Sequence, residues 1–394
     1  MEQFAEVSRE SRAVKLAILV NTIAPYRVPM YASLATSFKT LVLHGGREAN
    51  RSWTLDLPPA LKTQRVWTVQ IPVRKRMGVA GIRDTQYLHF NLGLLWWLPR
   101  FRPDAILTNE LGLRTAIALL YGWLAKVPVW VQWEGTLHSE RHVSGWKRRL
   151  RSFLTRHIQR WISYGASSSE YLLSLGAPPE RLLEVQNCVP QENFLHASAT
   201  GSEWFPETPG PVILSVGQFI PRKGLNKLID ACGRLSARGV PFTLALVGSG
   251  PERDRLQTQA ARAGIKHFFL IANQSQKALN ELYRRANVFV FPTLEDVWGL
   301  VVNEALWAGL PVLCSKYAGC AEIVPAENLF DPLSDESFDQ ALEKVLEERV
   351  KAPDVELLMS WQEVTGVISS SILKGASPGT EPRGSGEPEP IAPW

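Results

Sequence analysis

The chain has 394 residues, 45% hydrophobic and 21% charged, an ordinary globular composition on a length that predicts two domains rather than one core. A net charge of +5 and an isoelectric point near 9.0 point to anionic partners such as phosphates, nucleotides or a membrane surface, and no nucleic-acid partner is expected. Four cysteines without C-x-x-C spacing read as reduced thiols of a cytosolic protein with no zinc site, and neither a signal peptide nor an apolar run of membrane-spanning length is read.

Residues 1 to 13 read as a loose leader. Lys15 to Val20 (KLAILV) forms a buried strand, Asn21 to Pro25 a loop, and Val28 to Ala35 opens a helix. Arg27 lies at that turn, either as a binder of an anionic group or as a surface arginine. Strands follow at Lys39 to Leu43, Gln64 to Ile71, Ala105 to Thr108 and Val127 to Trp133, with helical stretches between them, notably Leu113 to Ala125. This alternation predicts a doubly wound α/β domain, whose ligands sit at the C-terminal ends of the strands. The last of these strands runs into WEGTLHSE, which carries Glu134 and His138. His138 is either a site residue or a loop histidine at a helix start.

Trp146 to Trp161 (WKRRLRSFLTRHIQRW) is the most basic stretch. Leu150, Phe153, Leu154, Ile158 and Trp161 recur at helical spacing, with six cations over the rest. A packed helix with a solvated charged face is the preferred reading, with an anionic membrane surface as the alternative. Strands at Ile162 to Ala166 and Leu183 to Asn187 flank a helix at Ser167 to Leu175. Residues 1–195 make the first domain, and the polar, Gly- and Pro-bearing stretch 196–210 is an interdomain linker.

The second domain, 211–353, opens with a strand at Pro211 to Val216 and continues GQFIPRKGLNKLIDA. Arg222 and Lys223 precede Gly224 and a helix, a turn that suits a diphosphate or is only a basic surface turn. Phe242 to Val247 leads to GSGPE, a weak nucleotide signal. The exit of strand Phe268 to Ile271, at Ala272 to Gln274, can set Asn273 against a base. Val355 to Leu373 is the terminal helix, residues 354–373 returning to the first domain, and 374–394 is a disordered tail.

The most informative stretch is Val288 to Glu322, VFVFPTLEDVWGLVVNEALWAGLPVLCSKYAGCAE. Val288 to Phe291 is a buried strand stopped by Pro292. Gly299 to Ala308 is helical with Gly309 at its C-terminal cap, and Pro311 to Cys314 is a second buried strand. The only polar side chains of that apolar helix are Asn303 and Glu304. Asp296 stands eight residues before Glu304, in the loop leading to the helix N-terminus, where backbone N–H groups attract phosphates. Two carboxylates so placed can hold the hydroxyls of a sugar nucleotide. Equally, Asp296 is a helix cap and Glu304 a core ion pair.

The run EDVWGLVVNEALWAGLPVLCS resembles the E-x7-E signature of glycosyltransferase family 4, retaining enzymes with two Rossmann-like domains facing across a cleft, the GT-B fold. Asp296 stands where the family more often has Glu, and Glu304 is the second acid. NTIAPYRVP and SLGAPPERLLEVQNCV resemble the family's first loop and the end of its first domain. GQFIPRKG resembles the family's phosphate-binding turn at Gly217 and Lys223, with Gln218 where the family often has Arg and Arg222 as the substitute charge. YAGCAE resembles the loop near the donor phosphates, with Gly319 allowing close backbone approach.

The resemblance implies transfer of a sugar from a nucleoside diphosphate sugar, with retention and without a metal or other cofactor. The acceptor is a glycan, a lipid-linked molecule or another hydroxyl, in polysaccharide, glycolipid or surface-glycan assembly. Lys223 and Arg222 would neutralise the leaving diphosphate, Asp296 would hold sugar hydroxyls, Glu304 the ribose, and Glu134 or His138 the acceptor side. Gly217, Gln218, Asn273, Gly299, Leu300, Val301 and Gly319 complete the donor site. The expected place is the cytoplasm, with the cytoplasmic face of the membrane as an open alternative. A different GT-B activity, such as an inverting transferase or an epimerase, and a non-catalytic sugar-nucleotide binder are the competing readings.

Overall fold

The computed structural model describes residues 13–46, 56–76, 83–196, 205 and 209–376. The leader up to residue 12, most of the linker and the tail from 377 lie outside the described residues. Fifteen strands are described: β1 Lys15–Val20, β2 Lys39–His44, β3 Thr63–Arg65, β4 Val69–Arg76, β5 Arg83–Phe90, β6 Ala105–Asn109, β7 Val129–Trp133, β8 Trp161–Tyr164, β9 Leu182–Val185, β10 Val212–Val216, β11 Thr243–Val247, β12 Phe268–Ile271, β13 Val288–Phe291, β14 Val312–Ser315 and β15 Leu329–Phe330.

β1 to β3 and β6 to β9 form one parallel sheet in the order β3-β2-β1-β6-β7-β8-β9. β10 to β15 form a second parallel sheet, ordered β12-β11-β10-β13-β14-β15. Strands such as KLAILV, VILSV and VFVF are buried along almost their whole length and apolar but for Lys15 and Ser215, as fits a parallel sheet covered on both faces. The strand order reverses between β1 and β6 and again between β10 and β13. Such reversal points leave a crevice beyond the carboxyl ends of the strands.

The expected strand Gln64 to Ile71 is two strands. β3 ends at Arg65 in the sheet, while β4 starts at Val69 and pairs antiparallel with β5 as a separate hairpin. Val66 is buried between them and Trp67 is exposed, so the apolar run turns a corner here. The end of the segment read as the first domain, up to residue 195, packs against the second domain. Val189 and Phe194 pack with Leu214, Phe289 and Val302 in the core of the second domain, and the Arg284 guanidinium holds the Phe194 carbonyl at 2.5 Å. A phenylalanine in a polar stretch thus finds its core among second-domain strands. Helix Trp361–Ala376 packs on helix Val28–Ser37 through Val364, Ile368 and Ile372, which join the core of the first domain.

The basic stretch is a helix over Gly145–His157 only. Trp161 belongs to β8 and is buried. The face turned inward carries Arg151 and Thr155, while Trp146, Leu150 and Phe153 are exposed. Arg151 docks the helix by bonding the Tyr171 hydroxyl at 2.7 Å and the Glu140 carboxylate at 2.5 Å, over the ring of Trp133. The packed helix with a solvated charged face holds for Lys147, Arg148, Arg149 and Arg156, which are exposed, but Arg151 turns inward where Leu150 and Phe153 were expected. A buried arginine with two partners shares the docking with the half-buried Leu154 and, just past the helix end, the buried Ile158.

Candidate active site

β10 ends at Val216, and the chain passes Gly217 and the exposed Gln218 before the short turn Pro221–Lys223. Gly224 adopts φ +68°, with its Cα side facing the Pro292 carbonyl so closely that a Cβ would lie 2.0 Å from it. This glycine brings the cationic turn against the loop after β13. The Lys223 ammonium pairs there with the Asp296 carboxylate, both largely buried, and lies 5.3 Å from the centre of the Phe291 ring. Arg222 donates from Nη1 to the Glu295 carbonyl at 3.2 Å.

Burial pushes the Asp296 pKa up, but Lys223, Arg222 and the Trp298 N–H outweigh it and hold the carboxyl below its ordinary range. Burial lowers the Lys223 pKa, and Arg222 adds to the lowering, while Asp296 supports its charge. Asp296 does not cap the helix Leu300–Trp307. The residue at the cap is Gly299, at φ +111°, with no side-chain cap. A Cβ on Gly299 would meet the Phe291 ring at 2.5 Å. Leu300 and Val301 open the helix half-buried, and their end of it faces the loop that carries Asp296.

Glu304 sits about one turn further into the helix. Its partner is the Tyr283 hydroxyl at 2.8 Å, not a cation, so the ion-pair reading is wrong for this residue. Burial raises its pKa to about 7, and the tyrosine only partly offsets that. Asn303, beside it, is fully buried and accepts from the Trp298 indole at 2.7 Å, while its amide donates to the Asn187 carbonyl at 3.1 Å. Gly319 is buried where the loop after β14 crosses the loop after β13. A Cβ there would lie 2.0 Å from the Val297 carbonyl, and its N–H donates to the Asp296 carbonyl at 3.1 Å. The close approach it permits is thus between two protein loops. Asn273 lies at the rim, exposed, and donates to Ser249 Oγ at 2.9 Å.

The first domain faces this crevice with the loop after β7. Arg27 is buried, pairs with Glu134 and donates to the Tyr164 hydroxyl at 2.7 Å. It is neither a surface residue nor open to an anionic acceptor. It fixes Glu134, which stays about one-third exposed. His138 reaches across: its Nε2 is 3.1 Å from the Leu294 carbonyl and its ring stacks on Tyr317 with centroids 4.5 Å apart. A carbonyl only accepts, so Nε2 carries the proton. Burial lowers the His138 pKa, which favours the neutral ring. Two contacts absent from the sequence reading also join the two domains, the first between the loops after β7 and β13, the second between the helix after β8 and the segment after β14. Arg141 pairs with Glu295 at 2.9 Å, and Glu322 accepts from the Ala166 N–H at 2.8 Å. The acidic pair Glu295–Asp296 was a signal for the first of these.

Among the described residues no group of three or more His, Cys, Asp or Glu side chains is placed to hold a metal ion, and the four cysteines are buried and free. No helix among them is long and apolar enough to cross a membrane.

Residues 202–363 match the family model "Glycosyl transferases group 1", and residues 30–188 match "Glycosyl transferase 4-like domain". The solved structure of Anabaena HepE in complex with UDP and glucose superposes with a TM-score of 0.61 at 15% identity, covering 92% of this chain and 97% of that one. This is the GT-B glycosyltransferase fold. Sequence relatives include a putative colanic acid biosynthesis glycosyltransferase, WcaL, of Salmonella typhimurium, 30% identical over 39% of each chain. The lipopolysaccharide glucosyltransferase WaaG of Escherichia coli is 29% identical over 39% of this chain and 40% of its own. The chain thus spans about two-fifths of the length of these two relatives. In GT-B terms, the Lys223–Asp296 pair belongs to the second domain's crevice, with Glu134 and His138 opposite.

Proposed function

We propose that this protein is a retaining glycosyltransferase of family 4, moving a sugar from a nucleoside diphosphate sugar to a hydroxyl of a glycan or lipid-linked acceptor, with no metal. The observation that carries the reading is the buried Lys223–Asp296 pair, with Arg222 beside it, at the point where the second sheet reverses its strand order. The fold neighbour in complex with UDP and glucose and the relatives named for surface-polysaccharide assembly support the same class of donor and setting.

The chemistry follows from charge. As the bond to the sugar breaks, negative charge grows on the leaving diphosphate, and cations already in place stabilise that change most. Arg222 and Lys223 supply them, together with the uncapped start of helix Leu300–Trp307. An ammonium has three donors, so Lys223 can hold Asp296 and a phosphate oxygen together. Asp296 then accepts from sugar hydroxyls and Glu304 from the ribose. Glu134 or His138 lines the acceptor side. Departure and attack on one face of the sugar need no protein nucleophile.

The test is the anomeric configuration of the first-formed product, followed by proton NMR with a nucleoside diphosphate sugar and a simple alcohol or sugar acceptor. Retention supports the reading. Inversion, or isomerised donor with no transfer, overturns it.

A further inference from the structure

We propose that Glu110 determines acceptor specificity, and that with Glu134 it selects a neutral or amine-bearing sugar over one bearing a phosphate or carboxylate. This rests on the transferase reading and names the acceptor class within it. The place is the carboxyl end of the first sheet, where the strand order reverses between β1 and β6. Asn21 follows β1, Asn109 ends β6 and Glu110 comes next, so all three stand at the mouth of that reversal. The Glu110 N–H donates to the Gln132 carbonyl at 3.0 Å. That bond sets Glu110 beside the end of β7 and the loop that carries Glu134.

The two carboxylates are held in the same way, each by an arginine that is itself shut off from water. Glu134, 32% exposed, pairs with Arg27, 7% exposed. Glu110, 62% exposed, lies 3.7 Å from Arg114, 4% exposed. Arg114 also donates to the Asn109 carbonyl at 2.5 Å and to the Asn21 side-chain oxygen, and the Asn21 amide donates to Glu110 at 3.3 Å. The buried Arg114 Nε has no partner among the described residues, an unmet donor beside this carboxylate. Glu110 itself has φ +64°, a left-handed backbone that is costly for a residue with a Cβ. The Gln132 carbonyl on one side and the Thr115 hydroxyl, 2.5 Å from the Glu110 carbonyl, on the other pin it there. Strain held by its surroundings in this way is found at ligand clamps.

Charge selects the acceptor. Arg114 and Asn21 both address Oε2 of Glu110, and Arg27 takes Oε1 of Glu134. The other oxygen of each carboxylate is left for a donor, and a carboxylate only accepts, so it suits a sugar hydroxyl or an ammonium. An anion on the same path meets the carboxylates before the guanidiniums, which stay buried, and like charge turns it away. Arg65, exposed at the end of β3, lies three strands from β6, about 14 Å at ordinary strand spacing. On the opposite wall Lys223 and Arg222 supply cations. The two walls therefore have opposite preferences, the second domain for the donor diphosphate and the first for an acceptor without negative charge.

The experiment is saturation-transfer NMR on the full chain, with and without UDP, titrating methyl glucoside, methyl glucosaminide, glucose 6-phosphate and glucuronate. Wild type is compared with Glu110→Gln, which keeps the shape, and with Glu110→Ala, which removes the side chain. A UDP titration on each protein reads the donor site separately. The expected result is that the glucoside and the glucosaminide bind about tenfold or more tighter than the two anionic sugars. Both variants should weaken the first two and narrow that gap, a change of order that a merely structural Glu110 would not produce. Anionic sugars that bind wild type as well as the neutral one overturn the proposal, as does the absence of any sugar binding. Variants that keep the wild-type order overturn it too. The expected order in a chain that binds no UDP would count against the transferase reading alone.

Discussion

The Lys223 ammonium and the Asp296 carboxylate form an ion pair that joins the turn after β10 to the loop after β13, with both groups largely removed from water. Each side chain therefore depends on the other for compensation of a buried charge. Lys223→Ala and Asp296→Ala should each cost about 3–5 kcal/mol, because each strands its partner, whereas the double substitution should cost less than the sum. Urea unfolding of the three variants measures this. Additive losses would mean that the two groups do not compensate each other.

Glu304 carries a pH prediction. Its pKa is raised from 4.5 to about 7 in the folded chain, so folding favours its protonated form. Its contribution to stability is full below about pH 4.5 and is lost as pH rises through about 7. Glu304→Gln keeps a hydrogen-bonding partner for Tyr283 without the charge. The variant should lose the fall in stability between those pH values, and should be the more stable protein at pH 8. Thermal melts across pH 4 to 8 decide it, and parallel pH profiles for the two proteins would contradict it.

Arg141 and Glu295 tie the first domain's β7 loop to the second domain's β13 loop. Arg141→Ala leaves the buried Glu295 carboxylate without that cation and should cost about 1–3 kcal/mol. Hydrogen exchange should speed up over residues 292–298, where His138 also attaches. Unchanged protection there would show that the contact does not hold the loops together.

Gly319 is a packing prediction. With a Cβ only 2.0 Å from the Val297 carbonyl, Gly319→Ala must push the loop that holds Asp296. Overpacking of this kind costs about 1–3 kcal/mol, and UDP affinity should fall with it. Calorimetric titration of UDP into the variant checks the second part, and wild-type affinity would place this loop outside the donor site.

The doubly wound α/β domains were legible because apolar, β-branched runs alternate with helical stretches, and the GT-B pairing of two such domains came from the family resemblance. VFVF closed by Pro292 gave its strand to the residue. The spacing of Asp296 and Glu304 was legible too, since eight residues on one loop and helix is a local pattern. What stayed hidden were pairings between distant residues. Arg27 and Glu134 are 107 residues apart, and Arg141 and Glu295 are 154 apart. Nothing local says that Arg27 is buried or that Arg151, rather than Leu150 and Phe153, faces the protein. Side chains such as Arg pack inward when tertiary partners satisfy them, and hydrophobic periodicity does not register those partners.

The central claim is that the crevice around Lys223, Asp296 and Glu304 holds a nucleoside diphosphate sugar. The most direct measurement is binding and slow hydrolysis of a panel of such donors by the wild-type chain and by Glu304→Ala. The account predicts that one donor binds and releases its nucleoside diphosphate, and that the substitution abolishes both in a folded protein. No donor binding at all, or a folded Glu304→Ala variant that binds and hydrolyses like wild type, would contradict it and leave the two carboxylates with a structural role.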